Sequence, residues 1–138
     1  MRIYTSDCAR NANIGDRSCW YSVYSTAVIR LSEDDKDFLQ FAMDFLNTGA
    51  CVADDAQITA RQLELIRRRF EKIVTTDAVY DLNNLELKVP IDTFVSQSAT
   101  SCANFYITAD GKDLFDELIN LLKYADKHKV DTLVEYDE

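Results

Sequence analysis

The last third of the chain reads Ala103-Asn-Phe-Tyr-Ile-Thr-Ala109, then Lys112 to Lys127, then Thr132-Leu-Val-Glu-Tyr136. Its middle segment places apolar residues on one face of a helix, with Asp110 as the predicted N-cap. An isolated helix of this length is marginal in water, so this face must pack on a sheet or another helix. The segment therefore predicts a strand, a helix and a strand around a shared core. The predicted inward residues are Leu114, Leu118, Leu121, Leu122 and Ala125, flanked by Phe115 and Ile119.

Further strands are predicted upstream from residue composition and alternation. The residues from Trp20 to Leu31 are rich in aromatic and β-branched side chains, which favours a long strand. Leu85 to Val89 alternates between apolar and charged residues, as a half-buried strand does. Arg2 to Thr5 is predicted as a short first strand, and the polar residues from Asp7 to Ser18 as a loop.

Two further helices are predicted from their start and stop signals. Ser32 precedes three acidic residues, which is typical of a helix N-terminus, and Gly49 is a natural helix end. Thr59-Ala-Arg-Gln62 matches a capping box and predicts a helix that runs to about Val74. The inward stripe of the first of these helices is predicted to be Phe38, Leu39, Ala42, Phe45 and Leu46.

The length of the chain limits its organisation. With 138 residues it has the usual size of one domain and can bury a core without disulfides or metals. We find no internal repeat and no linker that would divide it. The sequence therefore predicts a single α+β domain over residues 1–138, in which a small, mostly antiparallel sheet packs against about three helices.

The charge and hydropathy of the chain restrict its partners and its location. The net charge of −9 is unsuited to nucleic acid, because phosphates are neutralised by Lys and Arg. No apolar run approaches transmembrane length, and the segment from Met1 to Asp7 lacks the hydrophobic stretch of a secretory signal. We therefore expect a cytoplasmic protein that binds neither nucleic acid nor a membrane.

Few residues of the chain suit catalysis or metal binding. The single histidine, His128, lies near the end of the predicted last helix, where a polar residue favours the helix terminus. There is no nucleophile elbow and no glycine-rich phosphate loop. The cysteines are scattered without a C-x-x-C pair, which indicates free thiols rather than zinc ligands. We predict no catalytic residue, no metal and no cofactor. The cysteines are Cys8, Cys19, Cys51 and Cys102.

Residues 31–60 form an acidic band in which seven Asp and Glu residues face a single lysine, Lys36. Opposite charge accelerates the encounter of two proteins, so the band suits a basic protein partner. A solvated helix face is the alternative explanation. The aromatic residues Trp20, Tyr21 and Tyr24 could add the anchors that interface cores favour. The acidic residues predicted to bind the partner are Asp34, Asp35, Asp37, Asp54 and Asp55.

The basic residues of the helix after Thr59 are the one local exception to this acidity. They are predicted to be a solvated face that pairs with nearby carboxylates, rather than an anion-binding site. These residues are Arg61, Arg67, Arg68, Arg69 and Lys72.

The end of the chain resembles a known family. Two segments are similar to the ends of bacterial immunity proteins of polymorphic toxin systems. The first runs from Ser101 to Leu122 and contains the helix Asp113-Leu-Phe-Asp-Glu-Leu-Ile-Asn-Leu-Leu122. The second is the closing segment Val130-Asp-Thr-Leu-Val-Glu-Tyr-Asp137. The small size and acidic balance also resemble immunity proteins of contact-dependent growth inhibition. The resemblance implies tight binding and neutralisation of a cognate toxin domain, often a basic nuclease, inside the producing cell.

Two other classes of function remain open at this point. Abundant carboxylates would allow a small metal-dependent enzyme, although they lie where acids favour helix starts or are simply solvated. A non-catalytic assembly subunit is the third reading. An immunity gene is expected directly downstream of a large secreted toxin gene, so the gene neighbourhood separates these hypotheses.

Overall fold

A three-stranded antiparallel sheet joins the two ends of the chain in the computed structural model, which describes residues 1–136. The strands are β1 (Arg2–Thr5), β2 (Asn11–Asn13) and β3 (Thr132–Glu135), in the order β2-β1-β3. Ile3 lies opposite both Ala12 and Val134 and is completely buried. The predicted first and last strands are confirmed. The prediction of a loop from Asp7 to Ser18 is wrong in part, because this segment contains β2.

Five helices supply most of the rest of the core within the described residues, and loop residues such as Phe94 and Tyr106 complete it. The helices are α1 (Arg17–Arg30), α2 (Glu33–Phe38), α3 (Gln40–Thr48), α4 (Ala56–Phe70) and α5 (Leu114–His128). Helix α4 packs against α3 and α5, and α1 packs against α3. Short 3-10 turns occupy Ala53–Asp55, Thr75–Asp77 and Cys102–Asn104. The predicted α+β fold with a small antiparallel sheet is confirmed. Asp137, in the closing segment of the family resemblance, and Glu138 lie outside the described residues.

Helix α5 has the inward face that the sequence predicts. Every residue of the predicted stripe is buried, including Phe115 and Ile119 at its margins. Phe115 meets Phe70 of α4 edge to face, with 5.4 Å between ring centroids, a favourable aromatic geometry. The N-cap is Asp113 rather than Asp110, since the Asp113 carboxylate accepts a hydrogen bond from the backbone N–H of Asp116.

The predicted long strand at 20–31 is wrong, because these residues form α1. The Asp16 carboxylate caps the helix by accepting a hydrogen bond from the Ser18 backbone N–H at 2.9 Å. Cys19, Val23 and Thr26 are buried at the i, i+4 and i+7 spacing of a helix face. Tertiary packing therefore outweighs the strand propensity of the β-branched and aromatic residues.

Hydroxyl groups on the buried face of α1 are satisfied by a distant part of the chain. The hydroxyls of Ser22 and Thr26 each lie 2.9 Å from the Tyr106 hydroxyl, and both donate to the Val79 carbonyl. This network removes the cost of burying polar groups on a helix.

Two other predicted strands are also wrong. Residues 103–109 contain the end of a 3-10 turn and two isolated bridges, Val95 to Tyr106 and Ile107 to Asp113. Residues 85–89 lie in a loop instead of a strand. Leu85 and Leu87, the apolar residues of the alternating pattern, are both exposed and are not covered by a sheet.

Helix α4 begins earlier than its predicted capping box. It starts at Ala56, so Thr59 lies inside the helix and is buried instead of capping it. Gln62 also faces inward, and its side-chain oxygen accepts a hydrogen bond from the Ala42 backbone N–H at 3.1 Å. The helix ends at Phe70, before the predicted Val74. Gln62 thus holds α3 against α4 rather than closing a cap.

Candidate functional site

Helix α2 presents two acidic residues and one aromatic residue on the same side. Ser32 is the predicted N-cap and accepts a hydrogen bond from the Asp35 backbone N–H at 3.1 Å. Asp34, Asp37 and Phe38 follow the i, i+3, i+4 spacing that places side chains together. Both carboxylates are exposed, and neither forms an ion pair within residues 1–136. Phe38 is 73% exposed.

The outward position of Phe38 corrects the predicted inward stripe. The expected single helix from residue 32 to residue 49 is interrupted at Leu39, whose backbone angles are φ −105° and ψ 34°. Leu39 is buried after this break, while Phe38 is turned outward. Phe41, in the first turn of α3, is 42% exposed. The break therefore turns Phe38 outward, so that two exposed phenylalanines lie close in sequence to the acidic residues of α2.

The two other acidic residues of α2 are paired within the protein. The Asp35 carboxylate lies 3.1 Å from Nε of Arg69 in α4, and the Glu33 carboxylate lies 2.8 Å from Nζ of Lys36. The Asp35–Arg69 pair connects α2 to α4, whereas the Glu33–Lys36 pair lies within α2. Asp34 and Asp37 are thus the carboxylates of α2 without an ion pair in the described residues.

The other two acidic residues predicted to bind the partner lie at the N-terminal end of α4, far from the end where Asp35 pairs with Arg69. Asp54 and Asp55 form the 3-10 turn that leads into α4, whereas Asp35 pairs near its C-terminal end. Asp55 and Arg69 are fourteen positions apart, which corresponds to about 20 Å at the rise of an α-helix. Asp54 is exposed and Asp55 is half-buried at the start of α4, where negative charge suits the helix dipole. The acidic band is thus divided into two separate clusters.

The three aromatic residues that the sequence predicts to bind the partner lie on α1, beside a cavity of about 410 Å³. Trp20 is almost fully buried and meets Phe45 of α3 edge to face at 5.7 Å. Tyr24 is half-buried, and the Tyr21 hydroxyl accepts a hydrogen bond from the Asn83 side chain at 2.9 Å. Trp20 is therefore part of a cavity wall rather than a protruding anchor.

Comparison with known proteins identifies the family. A family model described as immunity protein 70, Imm70, matches residues 4–134, nearly the whole chain. The chain belongs to the Imm70 family. It is an immunity protein of a polymorphic toxin system, and it neutralises a cognate toxin by binding rather than by catalysis. The resemblance predicted from the end of the sequence is confirmed, and the small-enzyme hypothesis is excluded. No curated protein and no solved structure matches the chain.

Two of the five basic residues on the predicted solvated face of this Imm70 protein pair with acids, whereas Arg61, Arg68 and Lys72 form no ion pair within residues 1–136. Arg67 of α4 contacts the carboxylate of Asp116 in α5, and Arg69 contacts Asp35. These ion pairs connect α4 to its neighbours in the fold.

His128 ends α5 next to a small polar cluster on the surface of the Imm70 chain. Its ring stacks on Tyr124 with 4.1 Å between centroids, and the Tyr124 hydroxyl donates to the Asp7 carboxylate at 2.7 Å. Hydrogen bonds from Thr5, Tyr124 and the Ala9 backbone lower the pKa of Asp7 to about 2. The cluster thus ties the end of α5 to the turn after β1.

No metal site or membrane span is found in the part of the chain that the structure describes. Over residues 1–136, His, Cys, Asp and Glu side chains do not gather in groups of three or more that could hold a metal ion. Likewise, none of the helices in that range has the length and apolar character needed to cross a membrane.

The residues that sequence reasoning missed are the exposed aromatics Phe38 and Phe41. No local signal indicates the outward side of Phe38, because it lies four residues before the buried Ala42 and would face inward in an unbroken helix.

Proposed function

We propose that this immunity protein neutralises a basic toxin nuclease by binding it through α2 and the start of α3. The surface consists of Asp34, Asp37, Phe38 and Phe41, and we call it the acidic–aromatic face. The observation that carries the proposal is the position of two unpaired carboxylates beside a phenylalanine that is 73% exposed. An aromatic anchor framed by charge is typical of interface hot spots.

The acidity of the protein supports a basic partner. A nuclease binds an anionic substrate and so tends to carry Lys and Arg around its cleft. A protein with a net charge of −9 is attracted to such a cleft over distances of about a Debye length, roughly 8 to 10 Å. Asp34 and Asp37 would then occupy or flank positions that the phosphates of the substrate use.

The remaining predicted site residues have secondary roles in this proposal. Asp35 positions α2 through its ion pair with Arg69. Asp54 and Asp55 form a separate patch that adds long-range attraction. We also propose that the protein acts in the cytoplasm of the producing cell as part of contact-dependent growth inhibition. The small size and the net charge of −9 resemble those of immunity proteins of such systems, which supports this proposal.

The decisive experiment measures association with the toxin domain encoded directly upstream of this gene, at several salt concentrations. The double variant Asp34→Asn/Asp37→Asn should slow association and reduce its salt dependence, because rim charges act mainly on the association rate. The control is Glu86→Gln/Asp92→Asn, which removes the same charge from an exposed loop. Equal association rates for the two double variants would contradict the proposed face. A toxin domain that binds without salt dependence would contradict the basic partner.

A further inference from the structure

Helix α2 carries most of the acidic–aromatic face but buries none of its own six residues. Isolated helices shorter than roughly 12 to 15 residues are marginal in water. The buried residues Leu31 and Leu39 lie just before and just after α2, so apolar packing anchors the chain around the helix but not the helix itself. The orientation of α2 must therefore depend on polar contacts with its neighbours.

Lys36 supplies one such contact, with the end of α1. Its Nζ donates a hydrogen bond to the Val28 carbonyl at 2.8 Å. Because α1 ends at Arg30, the residue four positions after Val28 lies outside the helix, and this carbonyl has no helical N–H partner. The C-terminal end of a helix also carries partial negative charge, which favours an ammonium group. Lys36 thus caps α1 from α2.

The contact of Lys36 with α1 is better shielded from solvent than the ion pair that links α2 to α4. The Lys36 side chain is 19% exposed, whereas those of Asp35 and Arg69 are 28% and 45% exposed. Solvent weakens a charged contact less when its groups are more buried. The second partner of Lys36 is Glu33, which lies within α2 and connects the helix to no other element. The bond to Val28 is therefore the stronger link between α2 and the rest of the fold.

The direction of Lys36 explains why the acidic band contains one lysine. At about 3.6 residues per turn, Lys36 lies on the side of α2 opposite to the one that Asp34, Asp37 and Phe38 share. Its positive charge is bonded to α1 and faces away from a basic partner. The only basic residue between positions 31 and 60 can thus support the face without repelling the toxin.

We propose that Lys36 is the positioning residue of the acidic–aromatic face. By donating to the Val28 carbonyl it keeps α2 folded at the end of α1, which fixes the direction of Asp34, Asp37 and Phe38. A protein whose binding-competent state is only partly populated loses affinity in proportion to that fraction. Loss of the contact would therefore weaken binding without removing a residue from the face. The effect on the toxin rests on the proposed function, whereas the link between Lys36 and α1 does not.

Hydrogen exchange tests this link without the toxin. The Leu39 N–H donates to the Asp35 carbonyl at 2.8 Å and closes α2, so its exchange rate reports how often α2 opens. Lys36→Met keeps a long unbranched side chain but removes the donor, and should make this N–H exchange about tenfold faster. The amides of α5 should exchange at the wild-type rate. Wild-type exchange at Leu39 would overturn the link. Equal acceleration in α5 would overturn a positioning role in favour of a general loss of stability.

Glu33→Gln separates the two partners of Lys36. It removes the ion pair within α2 but leaves the bond to Val28, so the Leu39 N–H should stay protected. Exchange as fast as in Lys36→Met would overturn the link to α1, because the pair with Glu33 would then hold the helix.

The toxin domain encoded directly upstream tests the consequence for binding. Lys36→Met makes this acidic protein more negative by one charge, which by itself would favour a basic partner. We nevertheless expect about tenfold weaker affinity, because fewer molecules present an ordered face. The matched control is Lys127→Met, which removes one charge from an exposed position of α5 that has no ion pair within residues 1–136. This control should bind at least as tightly as the unaltered protein.

Equal affinities for Lys36→Met and Lys127→Met would overturn the positioning role. A toxin domain that does not bind the unaltered protein would overturn the proposed function and with it the role of Lys36 in binding. The exchange rate of the Leu39 N–H would still show whether Lys36 holds α2, so the two failures are distinguishable.

Discussion

Arg69 of α4 forms an ion pair with Asp35 of α2, with 3.1 Å between Nε and the carboxylate oxygen. This contact removes one carboxylate from the acidic surface and attaches the short α2 helix to a longer one. The Asp35 side chain is 28% exposed and that of Arg69 is 45% exposed, so solvent screens the pair. Its main consequence is therefore the position and charge of α2 rather than stability.

Replacing Arg69 with Gln should release Asp35 and accelerate association with a basic toxin at low salt. The free energy of unfolding should fall by less than about 1 kcal/mol, since exposed ion pairs contribute little. Arg68→Gln is the matched control, because Arg68 is exposed and has no ion pair within residues 1–136. Stopped-flow association rates and denaturant melts measure both effects. Equal rates for the two variants would show that Asp35 is not a steering charge.

Truncating Leu118 tests the core of the fold. Leu118 is completely buried on α5, so Leu118→Ala should lower the free energy of unfolding by about 2–5 kcal/mol through lost burial and a cavity. Leu85→Ala is the control, since that side chain is 56% exposed in a loop and should change stability by less than about 0.5 kcal/mol. A small effect at Leu118 would mean that α5 does not support the core.

The contrast between α5 and α1 explains how much of the fold the sequence predicts. The inward face of α5 is encoded locally by regularly spaced leucines, so the sequence predicts it residue by residue. The buried face of α1 includes Ser22 and Thr26, which look polar until Tyr106 satisfies them. That partner lies 84 and 80 residues away in sequence, so no local pattern could show that this face is buried.

The candidate site was predictable to a similar extent. Local charge identifies Asp34 and Asp37 as surface acids, and the structure exposes both. The separation of Asp54 from them depends on α4, whose true start at Ala56 was hidden by the apparent capping box. The outward side of Phe38 depends on the helix break at Leu39, which has no glycine or proline to announce it.

The Asp7–Tyr124 hydrogen bond should be visible in acid titration. The pKa of Asp7 is lowered to about 2, first by the Thr5 hydroxyl and then by the Tyr124 hydroxyl. A lowered folded-state pKa adds stability above the ordinary value of 3.8, and this contribution is lost as the pH falls towards 2. Tyr124→Phe should therefore raise the pKa of Asp7, as measured from its ¹³C carboxyl shift. An unchanged pKa would contradict the Asp7–Tyr124 contact.

The thiols should differ in reactivity. Cys8 is exposed, whereas burial raises the pKa of Cys19 and of Cys102 to about 12. Because the thiolate is the reactive form, only Cys8 should react quickly with a thiol reagent in the folded protein. All four cysteines should react in denaturant without prior reduction. Fewer than four free thiols in denaturant would contradict the absence of disulfides.

Phe38 separates a binding role from a folding role most clearly. A side chain that is 73% exposed contributes little to the core, so Phe38→Ala should change the free energy of unfolding by less than about 0.5 kcal/mol. If Phe38 anchors the toxin, the same variant should weaken affinity tenfold or more, about 1.4 kcal/mol, mainly through faster dissociation. Ile91→Ala is the control, because Ile91 is an apolar residue that is 67% exposed in a loop outside the acidic–aromatic face. Calorimetry with the toxin domain measures both variants. Equal affinities for the two would leave Phe38 as an exposed residue without a binding role, and the charges of α2 would then act without an aromatic anchor.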